Sequence, residues 1–234
     1  MTDNNINLTA IKPQSFPRIK HMYNSPGRSP DDLRSDKDWF NSFSGKYIII
    51  TEKLDGENTG ITNISCYARS KIPTLNPWSV NIRRDIFPFV KDLISDDEIV
   101  FGENLYAIHS IKYNHLSSYF HIFAVYNTKL EVWYSWSDVE MFAKILDLPT
   151  VPVLFKGIIN SEKDLMDKIN YWMSQPSAYG VEKEGVVMRL TGEIKPEDWN
   201  NSIVKYVRAN HVQTNKRWED DWERAELVVN NNNF

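Results

Sequence analysis

The sequence predicts an α+β fold of largely antiparallel sheets flanked by helices. Three observations carry that expectation. Short segments rich in β-branched and aromatic residues recur between turn formers, as strands do. Few segments combine a capping residue with a helical apolar period. No Gly-x-Gly-x-x-Gly follows a strand, which counts against a dinucleotide-binding parallel sheet.

Residues 1–15 are polar and expected to be flexible. From Phe16 the text FPRIKHMYNSPGRSPDD is rich in turn formers and suits a surface wrap. Strands are expected at 46–53, 64–70, 98–103, 119–126 and 131–134, then at Gly185–Leu190 and 202–207. Ser137 is placed to cap DVEMFAKIL. Ser161 is placed to cap EKDLMDKINYWM, with Asp164 in the first turn favouring the helix dipole. A third helix over 80–94 would be kinked or split by Pro88. The final VVNNNNF lacks a core-forming pattern and is expected to be disordered. With no internal repeat and no Pro- or Ser-rich linker, one domain is expected over 16–218, followed by a short C-terminal tail over 219–234.

Of the 234 residues, 41% are apolar and 25% charged, enough for a substantial core. The lone cysteine, Cys66, excludes an internal disulfide and a zinc framework, so a reducing, cytoplasmic setting is expected. No apolar run approaches the ~18 residues of a membrane span. The start, MTDNNINLTAIKP, lacks the basic and apolar regions of a signal peptide. The net charge of −4 argues against a generic nucleic-acid coat, but a local basic groove is compatible with it. Histidines 109, 115 and 121 recur every six residues, which fits no standard zinc spacing.

The stretch TEKLDGENT, 51–59, follows the oily YIII. Asp-Gly between apolar runs is a hairpin signal. The alternative is a nucleophilic lysine at the mouth of a pocket. Lys-x-Asp-Gly alone is weak, arising by chance in about one chain in twenty of this length. Three further stretches add weight: FGENLY at 101–106, EKEGVVMRL at 182–190 and SIVKYVRANH at 202–211. Each sets a charge at the end of, or within, an oily strand, where a purely structural sequence avoids it.

Together with the leader FPRIKHMYNSPG and with YARS, FGENLYAIHSIKY, YFHIFAVYN, EGVVMR, VKYVR and HVQT, these motifs resemble the RNA ligase family of covalent nucleotidyltransferases. The resemblance is ordered and runs from about Phe16 to Trp218. It implies an ATP-grasp-like nucleotidyltransferase domain. It also implies ATP as AMP donor, Mg²⁺ or Mn²⁺ as cofactor, and 5′-phosphate and 3′-hydroxyl RNA ends as partners. By resemblance Lys53 attacks the α-phosphate, and its amine must shed a proton through burial or a nearby cation such as Lys205. Glu52, or its backbone, reads the adenine edge. Asp55 and Gly56 belong to the nucleophile motif, with Gly56 allowing close backbone approach to the nucleotide. Asn58 contacts ribose or the leaving phosphates, and Arg69 binds phosphate. Glu103 contacts ribose, while Tyr126 stacks on adenine and Phe123 is core.

Glu184 matches the glutamate that helps hold the metal, since a hard cation with several waters needs few carboxylates. Lys205 matches the lysine that grips the α-phosphate. Where many relatives carry Lys-x-Lys, this chain reads Lys205-Tyr-Val207. Arg208 and Arg189 are further phosphate candidates, although strand alternation points Arg208 away from Lys205. His109 is assigned a substrate-side role, and RNA contacts are expected among Arg83, Arg84, His109, Lys112, Arg208, His211, Lys216 and Arg217.

The function implied is an ATP-dependent RNA ligase that forms lysyl-AMP, passes AMP to a 5′-phosphate end and seals it. A monomer with no obligate protein partner and no membrane association is expected. The alternatives are a DNA or polynucleotide ligase, a GTP-using capping-type enzyme, and a catalytically inactive RNA-binding relative. About 25 residues follow Arg208, too few for the OB-fold that the first two append, so a domain without an OB-fold is expected. The inactive relative is disfavoured because Lys53, Asp55, Gly56, Glu103, Glu184 and Lys205 are all present.

Overall fold

Two five-stranded sheets pack around a shared core in the computed structural model, which describes residues 13–70, 76–209 and 221–228. The strands are β1 (Lys20–His21), β2 (Tyr47–Lys53), β3 (Glu57–Ile61), β4 (Cys66–Ala68), β5 (Glu98–Asn104), β6 (Phe120–Asn127), β7 (Val132–Trp133), β8 (Val153–Ile158), β9 (Gly185–Leu190) and β10 (Ile203–Val207). The first sheet runs β1-β10-β9-β2-β8 and the second β4-β3-β5-β6-β7. Every pairing is antiparallel except β1 with β10.

The run Ile48–Ile50 of β2 is explained by burial on both faces, while Tyr47 ahead of it is exposed. Ile48 and Ile50 pack with Val186, Met188 and Val204 on one side, whereas Ile49 joins Val100, Phe120 and Ile122 on the other. The helices are the single turn α1 (Phe87–Val90), α2 (Trp136–Ile145), α3 (Glu162–Ser174) and the single turn α4 (Trp199–Ser202). Through Leu165 and Ile169, α3 closes the first face; α2 closes the second through Val139, Phe142 and Ala143.

Ser161 caps α3 as expected, accepting the Asp164 N–H at 3.1 Å. The cap of α2 is Ser135, not Ser137, because Trp136 already belongs to the helix and Ser135 Oγ accepts the Asp138 N–H. The segment expected to form a third helix is broken into a π turn over Ile82–Ile86, then α1, then a 3-10 turn over Lys91–Leu93. Pro88 lies at the start of α1, where its missing N–H costs least.

Three strands went unread. Polar ENTGI forms β3; VLFKGI forms the half-exposed edge strand β8; and the two residues of β1 exist only through pairing with β10. The Asp55-Gly56 turn is not a hairpin, because β2 and β3 lie in different sheets. It is the crossover that brings the two together.

Within the segment expected as a C-terminal tail, the described stretch 221–228 packs against the domain. Ala225 donates its N–H to Tyr106 at 2.8 Å and its methyl lies in the core. The final NNNNF and the HVQT motif, with His211, Lys216 and Arg217, fall outside the described residues.

Gly185 opens β9 at a place where a Cβ would lie 2.0 Å from the Tyr206 carbonyl oxygen, whereas a Cβ on Gly192 meets nothing. Backbone cannot yield to such an overlap as a flexible side chain can. Gly185→Ala is expected to lower the melting temperature sharply and Gly192→Ala hardly at all, as calorimetry of the two variants will show.

Candidate active site

A cavity of about 270 Å³ opens between the sheets. Its walls come from β2 (Thr51, Glu52, Lys53), β3 (Asn58), β5 (Glu103), β6 (Phe123, Ala124), β9 (Val187, Arg189) and β10 (Ile203, Lys205). The leader contributes Phe16, Pro17 and Ile19, and Arg69 and Trp199 complete the rim. One part is therefore apolar and aromatic, and another is crowded with charge.

Lys53 ends β2 opposite Gly185, the neighbour of Glu184 in sequence. The Lys53 Nζ lies 2.5 Å from Glu184 Oε2. Burial pulls the Lys53 pKa down, but Glu184, Glu103 and Asp55 outweigh it and hold the amine above its ordinary value. The expectation of a deprotonated lysine is thus corrected for the free protein. Its nearest partners are anions, so the ammonium is stabilised.

Glu103 shows the other side of this balance. Burial, with the neighbouring Glu184 and Asp55 charges, pushes its carboxyl up to about 8 against the pull of Lys53 and the Gly56 N–H. Gly56 donates that N–H to Glu103 Oε1 at 3.1 Å. A Cβ on Gly56 would come within 2.5 Å of the Asn104 carbonyl oxygen, so glycine here serves a close approach of the crossover to β5. Lys205 also lines the cavity. Burial and the Lys53 charge lower its pKa, while Asp32 and Glu184 work the other way. Arg69 is lowered by burial and by the nearby Arg18 guanidinium.

Asn58 lies across from Glu103 on β3 and lines the cavity, and its buried Oδ1 has no hydrogen-bond partner among the described residues. A buried acceptor left unsatisfied is costly unless a ligand supplies a donor.

Five of the residues singled out in the sequence have side chains engaged elsewhere, Glu52 and Arg189 while still lining the cavity. Asp55 is not in the cavity wall; its Oδ2 accepts the Ser110 and Ile111 N–H groups at 2.7 and 2.9 Å and pins that loop beneath the crossover. The side chain of Glu52 faces away, accepting from Ser177 Oγ and the Ala178 N–H, which leaves its backbone at the cavity. Arg189 is buried, and its guanidinium donates to the Leu190, Tyr134 and Gly192 carbonyls. Arg208 pairs with Glu182 at 2.6 Å, away from the cavity wall. Tyr126 is buried against Trp133, ring centroids 4.7 Å apart, in the core beside the cavity.

Of the two β6 aromatics, Phe123 is the one that lines the cavity. Strand pairing explains the exchange: Phe101 faces Ala124 and Gly102 faces Ile122, so Phe123 is the extra residue of a β-bulge. Bulges re-aim side chains in this way. Among the other expected contacts, Arg84 is exposed and paired with Asp85 at 2.6 Å. Burial holds the His109 imidazole below its ordinary pKa, near Lys53 and Asp55.

The model of the RNA ligase family matches residues 46–207, well over half of the chain. The chain belongs to the RNA ligase family. No curated protein matches it in sequence. In structure it is similar to an archaeal ATP-dependent RNA ligase, with a TM-score of 0.56 and 15% identity over 83% of this chain and 48% of that one. It is also similar to Naegleria gruberi RNA ligase with PPi, at a TM-score of 0.55 and 15% identity over 84% and 61%. A third similarity is to a putative ATP-dependent DNA ligase from Aquifex aeolicus, at 0.53 and 16% over 83% and 50%. These likenesses establish the fold. The present chain spans about half the length of the archaeal and Aquifex ligases it matches.

Glu103 is protonated in the folded protein up to about pH 8 but ionises near 4.5 when unfolded. A raised carboxyl pKa stabilises the fold below the unfolded value, and that contribution is lost as pH rises toward the folded value. Glu103→Gln keeps a neutral side chain throughout. Its melting temperature relative to wild type is expected to climb between about pH 5 and 8, as paired thermal melts will test.

Proposed function

We propose that this RNA ligase family member is an ATP-dependent RNA ligase with Lys53 as nucleophile. The observation that carries the reading is the Lys53–Glu184 pair at a cavity where Lys205, Arg69 and the open Asn58 acceptor converge. The Lys53 amine forms a P–N bond to the α-phosphate of ATP, and pyrophosphate leaves. Before attack Nζ gives up a proton, and Glu184 Oε2 is within reach to take it. Lys205 and Arg69 supply positive charge to the phosphates, where preorganised cations favour a transition state in which charge shifts among oxygens. Phe123 offers a ring face to the base, and Asn58 and Glu103 offer polar groups to the ribose.

The donor set suits a divalent cation. Glu184 is a buried carboxylate oxygen donor whose charge reaches both Lys53 and Glu103, and a hard cation that keeps several of its waters needs few such carboxylates beside the phosphates. Bound there, Mg²⁺ or Mn²⁺ supplies charge neutralisation for the phosphates. A Naegleria gruberi RNA ligase variant is described with ATP and Mn, in keeping with this choice. AMP then passes to a 5′-phosphate RNA end, and a 3′-hydroxyl displaces it to seal the strand.

Incubation with α-labelled ATP and divalent cation, followed by denaturing electrophoresis, tests the proposal. Covalent label is expected with ATP but not GTP, stable to alkali and removed by acid, and absent from Lys53→Ala. Label persisting in that variant removes Lys53 from the role. Base–aromatic stacking is worth roughly 1–3 kcal/mol, so Phe123→Ala should weaken ATP binding about tenfold, whereas Tyr126→Phe should leave it unchanged. Calorimetric titration distinguishes the two.

A further inference from the structure

Lys205 is held from outside the segment that matches the family. Residues 20–27 of the leader run along β10: Met22 donates its N–H to the Lys205 carbonyl at 2.7 Å, and Gly27 donates to the Val207 carbonyl at 2.9 Å. Ser25 Oγ accepts the Val207 N–H at 2.9 Å and also meets His21 Nδ1 at 2.9 Å. The chain then loops back, tied by His21 N–H to the Leu33 carbonyl and Ser35 N–H to the His21 carbonyl, both at 2.8 Å. That loop carries Asp32. Its Oδ1 lies 3.8 Å from Lys205 Nζ, and its Oδ2 accepts both Ser29 N–H and Ser29 Oγ at 2.9 Å, with His21 Nε2 at 3.5 Å.

We infer that Asp32 is a positioning residue for Lys205, holding its ammonium charged and in place through a strap formed by residues 20–35. The inference rests on the proposed role of Lys205 at the α-phosphate. The groups that act on Lys205 are Lys53 and Arg69, which oppose its charge, and Glu184 and Asp32, which favour it. His21 stands beside it on β1. Among the described residues, Asp32 is the carboxylate that forms an ion pair with Lys205, while Glu184 forms its own with Lys53. The 3.8 Å separation is loose, which suits a lysine that must keep its charge yet be free to bind a phosphate. Both partners are mostly covered, with side-chain exposures of 20% and 26%, so the pair is less screened than a surface pair.

Removing the Asp32 charge lowers the Lys205 pKa, so protonated Lys205 is lost at lower pH. In the Asp32→Asn variant the alkaline limb of lysyl-AMP formation is expected to move down by about one unit, an order of magnitude in rate on that limb. Asp32→Glu, which keeps the charge, is expected to restore the wild-type limb. A purely structural defect would lower the rate at all pH values and leave the limb in place. A second readout needs no activity. After reductive ¹³C-methylation of the lysines, the resonance lost in Lys205→Arg identifies Lys205. It should titrate at lower pH in Asp32→Asn and in Asp32→Ser than in wild type, provided their melts show a folded protein. An unshifted resonance in either folded variant, or an Asp32→Glu profile matching Asp32→Asn, overturns the inference. Absence of any lysyl-AMP in wild type would refute the proposed function instead, and the titration would still decide the pairing.

Discussion

Burying a cation between two sheets requires anions to meet it, and that constraint organises this protein. Lys53 ends a strand buried on both faces, and its ammonium is stabilised there chiefly by Glu184, 2.5 Å away, with Glu103 and Asp55 adding to it. The register of β2 against β9 sets that distance, since Lys53 pairs with Gly185, the neighbour of Glu184. A slip of one residue in β2 would turn the lysine to the opposite face and separate the pair.

The remaining charges follow from the first pair. With Glu184 bonded to Lys53, Glu103 is a second carboxylate in the same buried space, and neutralising it is less costly than ionising it. Lys205 is a second ammonium near the first, and the carboxylate it meets comes from the leader as Asp32. The free protein is thus a balanced set of charges beside an apolar wall of Phe16, Phe123 and Trp199. A ligand with a flat ring at one end and phosphates at the other matches that division.

The family match begins at residue 46, yet the leader before it supplies part of the cavity wall and the strand that lies along β10. The stretch 221–228, beyond the match, adds Ala225 to the core. These additions surround the shared core on the side of β10 and on the side of the 106–116 loop.

The sequence by itself determined which charges are present and where the strands that bear them end. Lys53, Glu103, Glu184 and Lys205 were legible because each interrupts or closes an apolar run, and such placements are costly without a purpose. Strands β5, β6, β9 and β10 were legible for a related reason, being rich in β-branched or aromatic residues. Only the tertiary structure decided which groups meet. The Lys53 partner lies 131 residues away, so its protonation depends on a distance that no local pattern encodes. Whether Phe123 or Tyr126 faces the cavity turns on one bulged residue, and a shift by one position exchanges the faces of a strand. Asp32 carries no signal in its surroundings, because an aspartate in a turn-rich leader looks like any other until the loop folds back onto β10.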